Sequence, residues 1–223
     1  MSGISDEIGL LHKEMPSGVT LVAVSKFHPV EAVMEAYGAG QRCFGESRVQ
    51  ELLEKIPQCP SDIRWHFIGH LQTNKVRSLI GKTALIESVD SERLLDLIDK
   101  ESARAGVVTN VLMQLHVAME ETKFGFYPEE LLAFFRDRKF ERLTATHICG
   151  VMGMASNTDD MTRVADDFRK IHSVFREIAD DSSLGLRGFD TVSMGMSGDW
   201  RVAVEQGSNM VRIGTTIFGP RQY

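Results

Sequence analysis

The sequence lacks the features that mark membrane proteins, disulfide-rich secreted proteins and zinc proteins. It has three cysteines, Cys43, Cys59 and Cys149, and none belongs to a CxxC pair, so neither a disulfide framework nor a zinc or redox motif is indicated. The N-terminus has no basic start followed by an apolar core, as a signal peptide would have. The longest uncharged stretch, Leu143–Thr158, is shorter than the ~20 apolar residues of a membrane span. We therefore expect a cytoplasmic protein with reduced thiols.

The sequence also has no excess of basic residues and no glycine-rich phosphate loop. Lysine and arginine total 25 against 31 aspartates and glutamates, a formal net charge of −6, which argues against a general nucleic-acid binder. Neither GxGxxG nor GxxxxGK[ST] occurs, and these motifs are typical of sheets that bind nucleotides. No low-complexity linker divides the 223 residues, so we expect one domain over residues 1–223.

The sequence does contain an alternation of short β-rich runs with amphipathic helical stretches. Several runs are continuous in valine, isoleucine, leucine and methionine, which is typical of parallel strands that are covered on both faces. Eight such units predict a (β/α)8 TIM barrel with an extra N-terminal helix at Ile4–Glu14, and an open doubly wound sheet is the alternative. The expected strands are Leu21–Lys26, Gln41–Gly45, Trp65–Gly69, Ala84–Val89, Asn110–Val117, Ala145–Met152, Phe189–Gly195 and Met210–Phe218.

Lys26 is the most informative polar residue at a predicted strand end. In a TIM barrel the active site is built from the loops that follow the strands, and the run LVAVSK brings a lysine to the end of the first strand. A lysine in a desolvating pocket has a lowered pKa, so its neutral amine can form a Schiff base. The alternative is a charge at the strand boundary that extends into solvent.

The ends of the last two predicted strands carry residues that suit an anion site. Ser197 follows the seventh strand, and Gly214 and Thr215 come after Arg212 in the segment of the eighth. Barrels commonly bind phosphate there through backbone N–H groups and hydroxyls. Ordinary turn chemistry is the alternative, and Ser197 also suits the N-cap of a helix that begins near Asp199. A Schiff-base lysine together with a phosphate site predicts pyridoxal 5′-phosphate (PLP) as the cofactor.

Arg212 lies inside an apolar strand, where a cation is costly to bury without a partner. In one interpretation its guanidinium faces the pyridine nitrogen of PLP. That nitrogen would then stay unprotonated, and the ring would be a poor electron sink. In the other interpretation Arg212 forms a structural salt bridge to an acid such as Glu87 or Glu205.

Together these residues resemble one known family. The segments AVSKFHPVEAV, AGQRCFGESRVQE, WHFIGHLQTNK, ETKFGF, GVMGMAS and VSMGMSGDWRVAVEQGSNMVRIGTTIFGPRQY are similar to those of the pyridoxal phosphate homeostasis proteins. These are PLP-binding barrels similar to the N-terminal domain of bacterial alanine racemase. The roles that the resemblance implies are the Schiff base for Lys26, the phosphate for Ser197, Gly214 and Thr215, the pyridine nitrogen for Arg212, and the pocket lining for His66 and Met196.

Two further positions bear on the resemblance. The family usually reads FGEN where this chain reads FGES, so Ser47 stands at the place of an asparagine near the cofactor. Because a serine side chain is shorter, a direct contact with the ring becomes water-mediated or is lost. Lys123, in ETKFGF, matches another family lysine near the barrel mouth. It is either a second amine that takes PLP during transfer or a solvated loop charge.

The resemblance implies a protein that binds PLP reversibly through Lys26 and takes part in PLP homeostasis and amino-acid balance. We expect a monomer, because the racemase dimer depends on a second domain. The expected partners are apo forms of PLP-dependent enzymes, which receive PLP by buffering or by delivery. Alanine racemases need a second domain, for which 223 residues leave no room, so catalytic turnover is not implied. A racemase-like PLP enzyme is the alternative function. A barrel that binds no cofactor and acts through partners is a third.

Overall fold

The computed structural model describes residues 3–118 and 124–220, whose centre is a closed barrel of eight parallel strands. Each strand pairs with the next in chain order, and β8 returns to pair with β1. The closure confirms the predicted TIM barrel and excludes the open doubly wound sheet. The strands are β1 (Thr20–Val24), β2 (Cys43–Glu46), β3 (Arg64–Phe67), β4 (Leu85–Val89), β5 (Thr109–Leu115), β6 (Thr146–Gly153), β7 (Thr191–Ser193) and β8 (Met210–Ile213).

Helices follow the strands around the outside of the barrel, and the extra N-terminal helix has the predicted bounds. Within the two described ranges, no helix is both long and apolar enough to cross a membrane. The α-helices in these ranges are α1 (Ile4–Glu14), α2 (Val30–Gly38), α3 (Val49–Lys55), α4 (Val76–Leu79), α5 (Glu92–Ala105), α6 (Pro128–Arg136), α7 (Met161–Ala179), α8 (Trp200–Glu205) and α9 (Thr215–Phe218).

The inside of the barrel changes from apolar to polar along the strands. Because strand side chains alternate between the two faces, the next inward residue after Leu85 is Glu87, and the next after Met210 is Arg212. Both of these charged residues are buried. Polar groups therefore occupy the interior toward the C-terminal ends of the strands, where TIM barrels carry their sites. The apolar cluster that precedes them consists of Val22, Cys43, Leu85, Leu112, Met152 and Met210.

The predicted last strand, Met210–Phe218, is wrong in its second half. β8 ends at Ile213, and the chain then turns at Gly214 into α9. The N–H groups of Ile217 and Phe218 both donate to the carbonyl of Gly214 at 2.9 Å, and Ile217 is 3% exposed. The segment TTIF, three β-branched residues and an aromatic one, favours a strand by composition, but packing of Ile217 in a helical turn overrides that preference. The start of α9 therefore lies at the barrel mouth, directly after β8.

The end of β1 also differs from the prediction. The strand ends at Val24 rather than at Lys26, so the lysine lies in the turn that follows the strand. At β7 the strand is limited to Thr191–Ser193, and the loop that carries Met196 and Ser197 follows it. The predicted site residues on these two elements are therefore held by loops at the C-terminal end of the barrel.

Candidate functional site

A cavity of about 220 Å³ opens at the C-terminal end of the barrel. Its wall brings together six of the seven residues that the sequence predicted for a cofactor site, with His66 as the exception. Those six are Lys26, Met196, Ser197, Arg212, Gly214 and Thr215. The wall also contains Val24, His28, Ile68, Met154, Gly198 and Gly219.

Lys26 reaches the cavity from the turn after β1. The preceding residue, Ser25, is buried, and Lys26 itself is half-buried. The following residue, Phe27, has a φ of 67°, a left-handed conformation that is uncommon for a residue with a β-carbon. The structure thus places the lysine in the cavity wall, where its amine can meet a ligand.

Ser197 and the start of α9 form an arrangement that suits an anion. The Ser197 hydroxyl oxygen accepts hydrogen bonds from the N–H groups of Gly214 and Thr216, at 3.2 and 3.4 Å. Backbone N–H groups and a hydroxyl at the end of the last two strands are the usual phosphate donors of a TIM barrel. A β-carbon at Gly214 would lie 3.2 Å from the carbonyl oxygen of Val24, so a larger residue would crowd β1.

The second role predicted for Ser197, the N-cap of the following helix, is wrong. α8 begins at Trp200, and its N-cap is Asp199. The Asp199 carboxylate accepts a hydrogen bond from the N–H of Met196, which closes the turn before the helix. Ser197 lies within this turn, and its hydroxyl oxygen contacts the start of α9 rather than capping α8.

Four buried side chains form the inner network: Arg212 in the cavity wall, and His66, Glu87 and Ser193 beneath it. Arg212 donates from Nη1 to Ser193 Oγ at 2.6 Å and from Nη2 to the Gly153 carbonyl at 3.0 Å. Ser193 Oγ donates to Glu87 Oε2 at 2.6 Å. Arg212 Nη1 lies 3.7 Å from the same Glu87 oxygen, so Glu87 rather than Glu205 is the acid partner of Arg212.

His66 belongs to this network and not to the cavity wall. It points into the barrel from β3, where it is fully buried and its Nδ1 lies 2.7 Å from Glu87 Oε1. The predicted pocket residue therefore lies one layer below the pocket and contacts the acid that supports Arg212.

The charges of the inner network follow from burial and pairing. Burial lowers the pKa of His66, but the Cys43 and Glu87 side chains outweigh burial and raise it to about 9. Burial raises the pKa of Glu87, but His66 and Arg212 outweigh it, so the pKa lies below its ordinary value. Arginine stays protonated in proteins. At neutral pH the network thus holds two cations around one carboxylate.

A second network, mostly buried and not predicted from the sequence, lies behind Lys26 between the ends of β1 and β2 and α3. This outer network consists of Ser25, Glu46, Glu51 and Lys55. Lys55 is 5% exposed, and its Nζ lies 2.7 Å from a carboxylate oxygen of both Glu46 and Glu51. Burial raises the pKa of Glu46, and Lys55 opposes that rise. The i, i+4 spacing of Glu51 and Lys55 is the signal that indicates their pairing, although nothing in it indicates burial.

The structure also shows where the other residues singled out in the sequence lie. Met152 lies in the apolar cluster inside the barrel, whereas Met154 and Met196 line the cavity. Ser47 is half-buried and is not part of the cavity wall. Lys123 belongs to residues 119–123, which lie outside the described part of the chain.

Comparison with known sequences identifies the family. The family model for the N-terminal domain of alanine racemase matches residues 3–222. The pyridoxal phosphate homeostasis protein of Aquifex aeolicus is 39% identical over 204 residues, which cover 91% of this chain and 87% of that protein. The Homo sapiens protein of the same name is 40% identical over 214 residues, which cover 91% of this chain and 77% of that protein.

Solved structures agree with the sequence comparison. PipY of Synechococcus elongatus, solved without PLP, has a TM-score of 0.91 at 33% identity, covering 97% of this chain and 100% of that one. The structure of PipY with PLP bound has a TM-score of 0.87. Alanine racemase from E. faecalis shares the fold, with a TM-score of 0.75 at 19% identity over 57% of its own chain. The chain belongs to the family of pyridoxal phosphate homeostasis proteins.

Proposed function

We propose that this protein binds PLP in the cavity at the barrel mouth, holds it as a Schiff base on Lys26 and takes part in PLP homeostasis. The observation that carries the proposal is that Lys26 and the anion site of Ser197, Gly214 and Thr215 line one cavity. The names of the relatives and the PLP-bound structure of PipY support the choice of cofactor.

The groups in the cavity fit the three functional parts of PLP. When bound, PLP supplies an aldehyde that condenses with a lysine amine and releases water, and Lys26 offers the amine. The Ser197 hydroxyl oxygen accepts from the N–H groups of Gly214 and Thr216, which leaves its own O–H to donate to a phosphate oxygen. The Arg212 guanidinium donates but cannot accept, so it suits an unprotonated ring nitrogen. Lys26 therefore anchors the cofactor, and the other groups orient it.

Arg212 also disfavours chemistry that uses a protonated PLP ring as an electron sink. Chemistry at the Cα of an amino acid is favoured by a protonated ring nitrogen that is paired with a carboxylate. The buried carboxylate nearby, Glu87, already pairs with His66 and Ser193 and is not part of the cavity wall. We therefore infer a protein that buffers PLP or delivers it to apo-enzymes and so contributes to amino-acid balance. From the sequence alone we also propose that it is cytoplasmic and monomeric.

Binding is tested by titrating the purified protein with PLP and following its visible absorbance. We expect a yellow complex with one PLP per chain, whose band disappears on borohydride reduction. Lys26→Ala should keep its circular dichroism spectrum and lose the band, because it lacks the amine. A wild-type protein that stays colourless and cannot be loaded with PLP would contradict the proposal.

A racemase-like enzyme is the second candidate function, because the matching family model is that of an alanine racemase domain. The two functions differ at the Cα–H bond of a bound amino acid. We would incubate the PLP-loaded protein with L- and D-alanine in deuterated water. The carrier function predicts no more Cα exchange than free PLP gives, whereas rapid exchange or racemisation would show a racemase.

A further inference from the structure

One ion pair holds both of the peptide groups that flank Lys26. Lys55 donates from Nζ to the carbonyl oxygen of Ser25 at 2.9 Å, just before Lys26. Glu51 Oε1 accepts the N–H of Phe27 at 2.7 Å, just after Lys26. The same Glu51 oxygen lies 2.7 Å from Lys55 Nζ. The backbone on either side of Lys26 is therefore hydrogen-bonded to the Lys55–Glu51 ion pair on α3.

Lys55 is held firmly at that point. An ammonium group has three N–H donors, and here three acceptors surround it: the Ser25 carbonyl, Glu46 Oε1 and Glu51 Oε1. The Ser25 hydroxyl donates to the same Glu46 oxygen at 2.7 Å. Glu46 is fully buried, so moving Lys55 away would leave a buried carboxylate without its cation. Displacement of Lys55 is correspondingly unfavourable.

The turn that the pair holds has a conformation that this sequence does not favour by itself. Phe27 has a φ of 67°, and residues with a β-carbon occupy that region at an energetic cost. Such strain persists only where the surroundings determine the conformation. The Glu51 contact and the Arg48 guanidinium, 4.5 Å from the centre of the Phe27 ring, supply those surroundings.

The geometry points to Lys55 and Glu51 as positioning residues for Lys26, an inference that rests on the proposed function. By fixing both flanking peptide groups, the pair sets the direction in which the Lys26 side chain leaves the backbone. The amine is then presented to the cavity before any ligand arrives, which reduces the conformational entropy lost on binding. Neither Lys55 nor Glu51 is part of the cavity wall, so both act through Lys26 and not on PLP.

Variants at Glu51 separate this role from simple anchoring of α3. Glu51→Gln removes the charge but keeps an oxygen that can accept the Phe27 N–H. Glu51→Leu has a similar size and offers no acceptor. Ile178→Ala, on α7, is the control for lost stability away from the cavity, because Ile178 is 2% exposed and is not part of the cavity wall.

The first readout is PLP affinity, measured by titration of the visible band. We expect Glu51→Leu to bind PLP roughly tenfold more weakly, which corresponds to about 1.4 kcal/mol. Glu51→Gln should stay within roughly threefold of wild type, which is under about 1 kcal/mol. Ile178→Ala should unfold more easily but bind PLP with unchanged affinity. Wild-type affinity in Glu51→Leu, or an equal loss in Ile178→Ala, would overturn the positioning role.

The second readout is hydrogen exchange of residues 25–28 in the PLP-free protein. Loss of protection in Glu51→Leu, with protection retained in Glu51→Gln, would support the inference that the Lys55–Glu51 pair fixes this turn. Unchanged protection in Glu51→Leu would overturn it, whatever the PLP titration shows. A wild-type protein that binds no PLP would instead defeat the proposed function, and the exchange experiment alone would then decide whether the pair holds the turn.

Discussion

The inner and outer networks both bury an ion pair at the same end of the barrel, but one contacts the cavity and the other contacts the backbone around Lys26. The inner network lies inside the barrel, and its guanidinium at Arg212 reaches the cavity wall. The outer network lies behind that wall, where Lys55 and Glu51 contact the backbone on either side of Lys26. Buried charge therefore serves two purposes here: one network presents a cation to the ligand site, and the other holds a turn in place.

The two networks also differ in their charge balance. The inner network has two cations, His66 and Arg212, around Glu87, and this excess of positive charge suits an anionic ligand. The outer network has one cation between two carboxylates. Because burial raises the pKa of Glu46, this carboxylate can take up a proton when its partner is lost. Removal of a charge should therefore cost more in the inner network.

The largest effect is expected from Glu87→Leu. This change leaves the buried Arg212 guanidinium without an anion and His66 without its acceptor. Removal of one partner of a buried ion pair typically costs roughly 3–5 kcal/mol of unfolding free energy. Equilibrium unfolding in urea, without PLP, measures the loss. A loss below about 1 kcal/mol would show that the inner network is not electrostatically coupled.

The pH dependence of stability should show the charge on His66. Its pKa is raised from 6.5 to about 9 in the folded protein, so the folded state binds this proton more tightly than the unfolded state. The stabilisation is complete below pH 6.5 and is lost as the pH rises through about 9. Between these limits wild type should lose a few kcal/mol that His66→Asn does not lose, as measured by urea unfolding. Equal pH profiles for the two proteins would contradict this charge assignment.

A smaller loss is expected from Lys55→Met in the outer network. Methionine keeps much of the side-chain volume but leaves the buried Glu46 without its cation. We expect a loss of roughly 1–3 kcal/mol near neutral pH, the range for an unsatisfied buried group. The loss should shrink as the pH falls, because Glu46 then takes up a proton. A loss as large as that in Glu87→Leu, and constant with pH, would remove the difference between the networks.

The smallest effect is expected at an exposed ion pair, which gives both networks a reference. Lys139 and Glu92 lie 2.8 Å apart with 41% and 38% of their side chains exposed. Exposed pairs typically contribute less than about 1 kcal/mol. Lys139→Met should therefore change the urea midpoint little, and less in high salt. A loss comparable with that in Lys55→Met would show that burial is not what distinguishes the networks.

The parts of the molecule that the sequence predicts are those with local signals. Continuous apolar runs predict the strands. Lys26 ends a predicted strand, Ser197 follows one and Arg212 lies within one, and the TIM barrel brings all three to one mouth. The helix at Thr215–Phe218 was not predicted, because its β-branched residues favour a strand by composition. Only the burial of Ile217 in the folded protein favours the helical turn.

The outer network was missed for a different reason. The Lys55 ammonium meets the Ser25 carbonyl across 30 positions of the chain, and no periodicity reports such a contact. In addition, an i, i+4 pair of Glu51 and Lys55 is typical of a solvated helix face. His66 was placed in the pocket by resemblance alone, whereas its depth inside the barrel depends on the partner that it finds in Glu87.

The assignment of Lys26 as the residue that holds PLP is tested most directly by mapping a reduced adduct. The PLP-loaded protein is treated with borohydride, digested, and examined by peptide mass spectrometry. We expect one reduced PLP per chain on the peptide that contains Lys26, and no adduct at that position in Lys26→Ala. An adduct found on other lysines and absent from Lys26 would contradict the assignment.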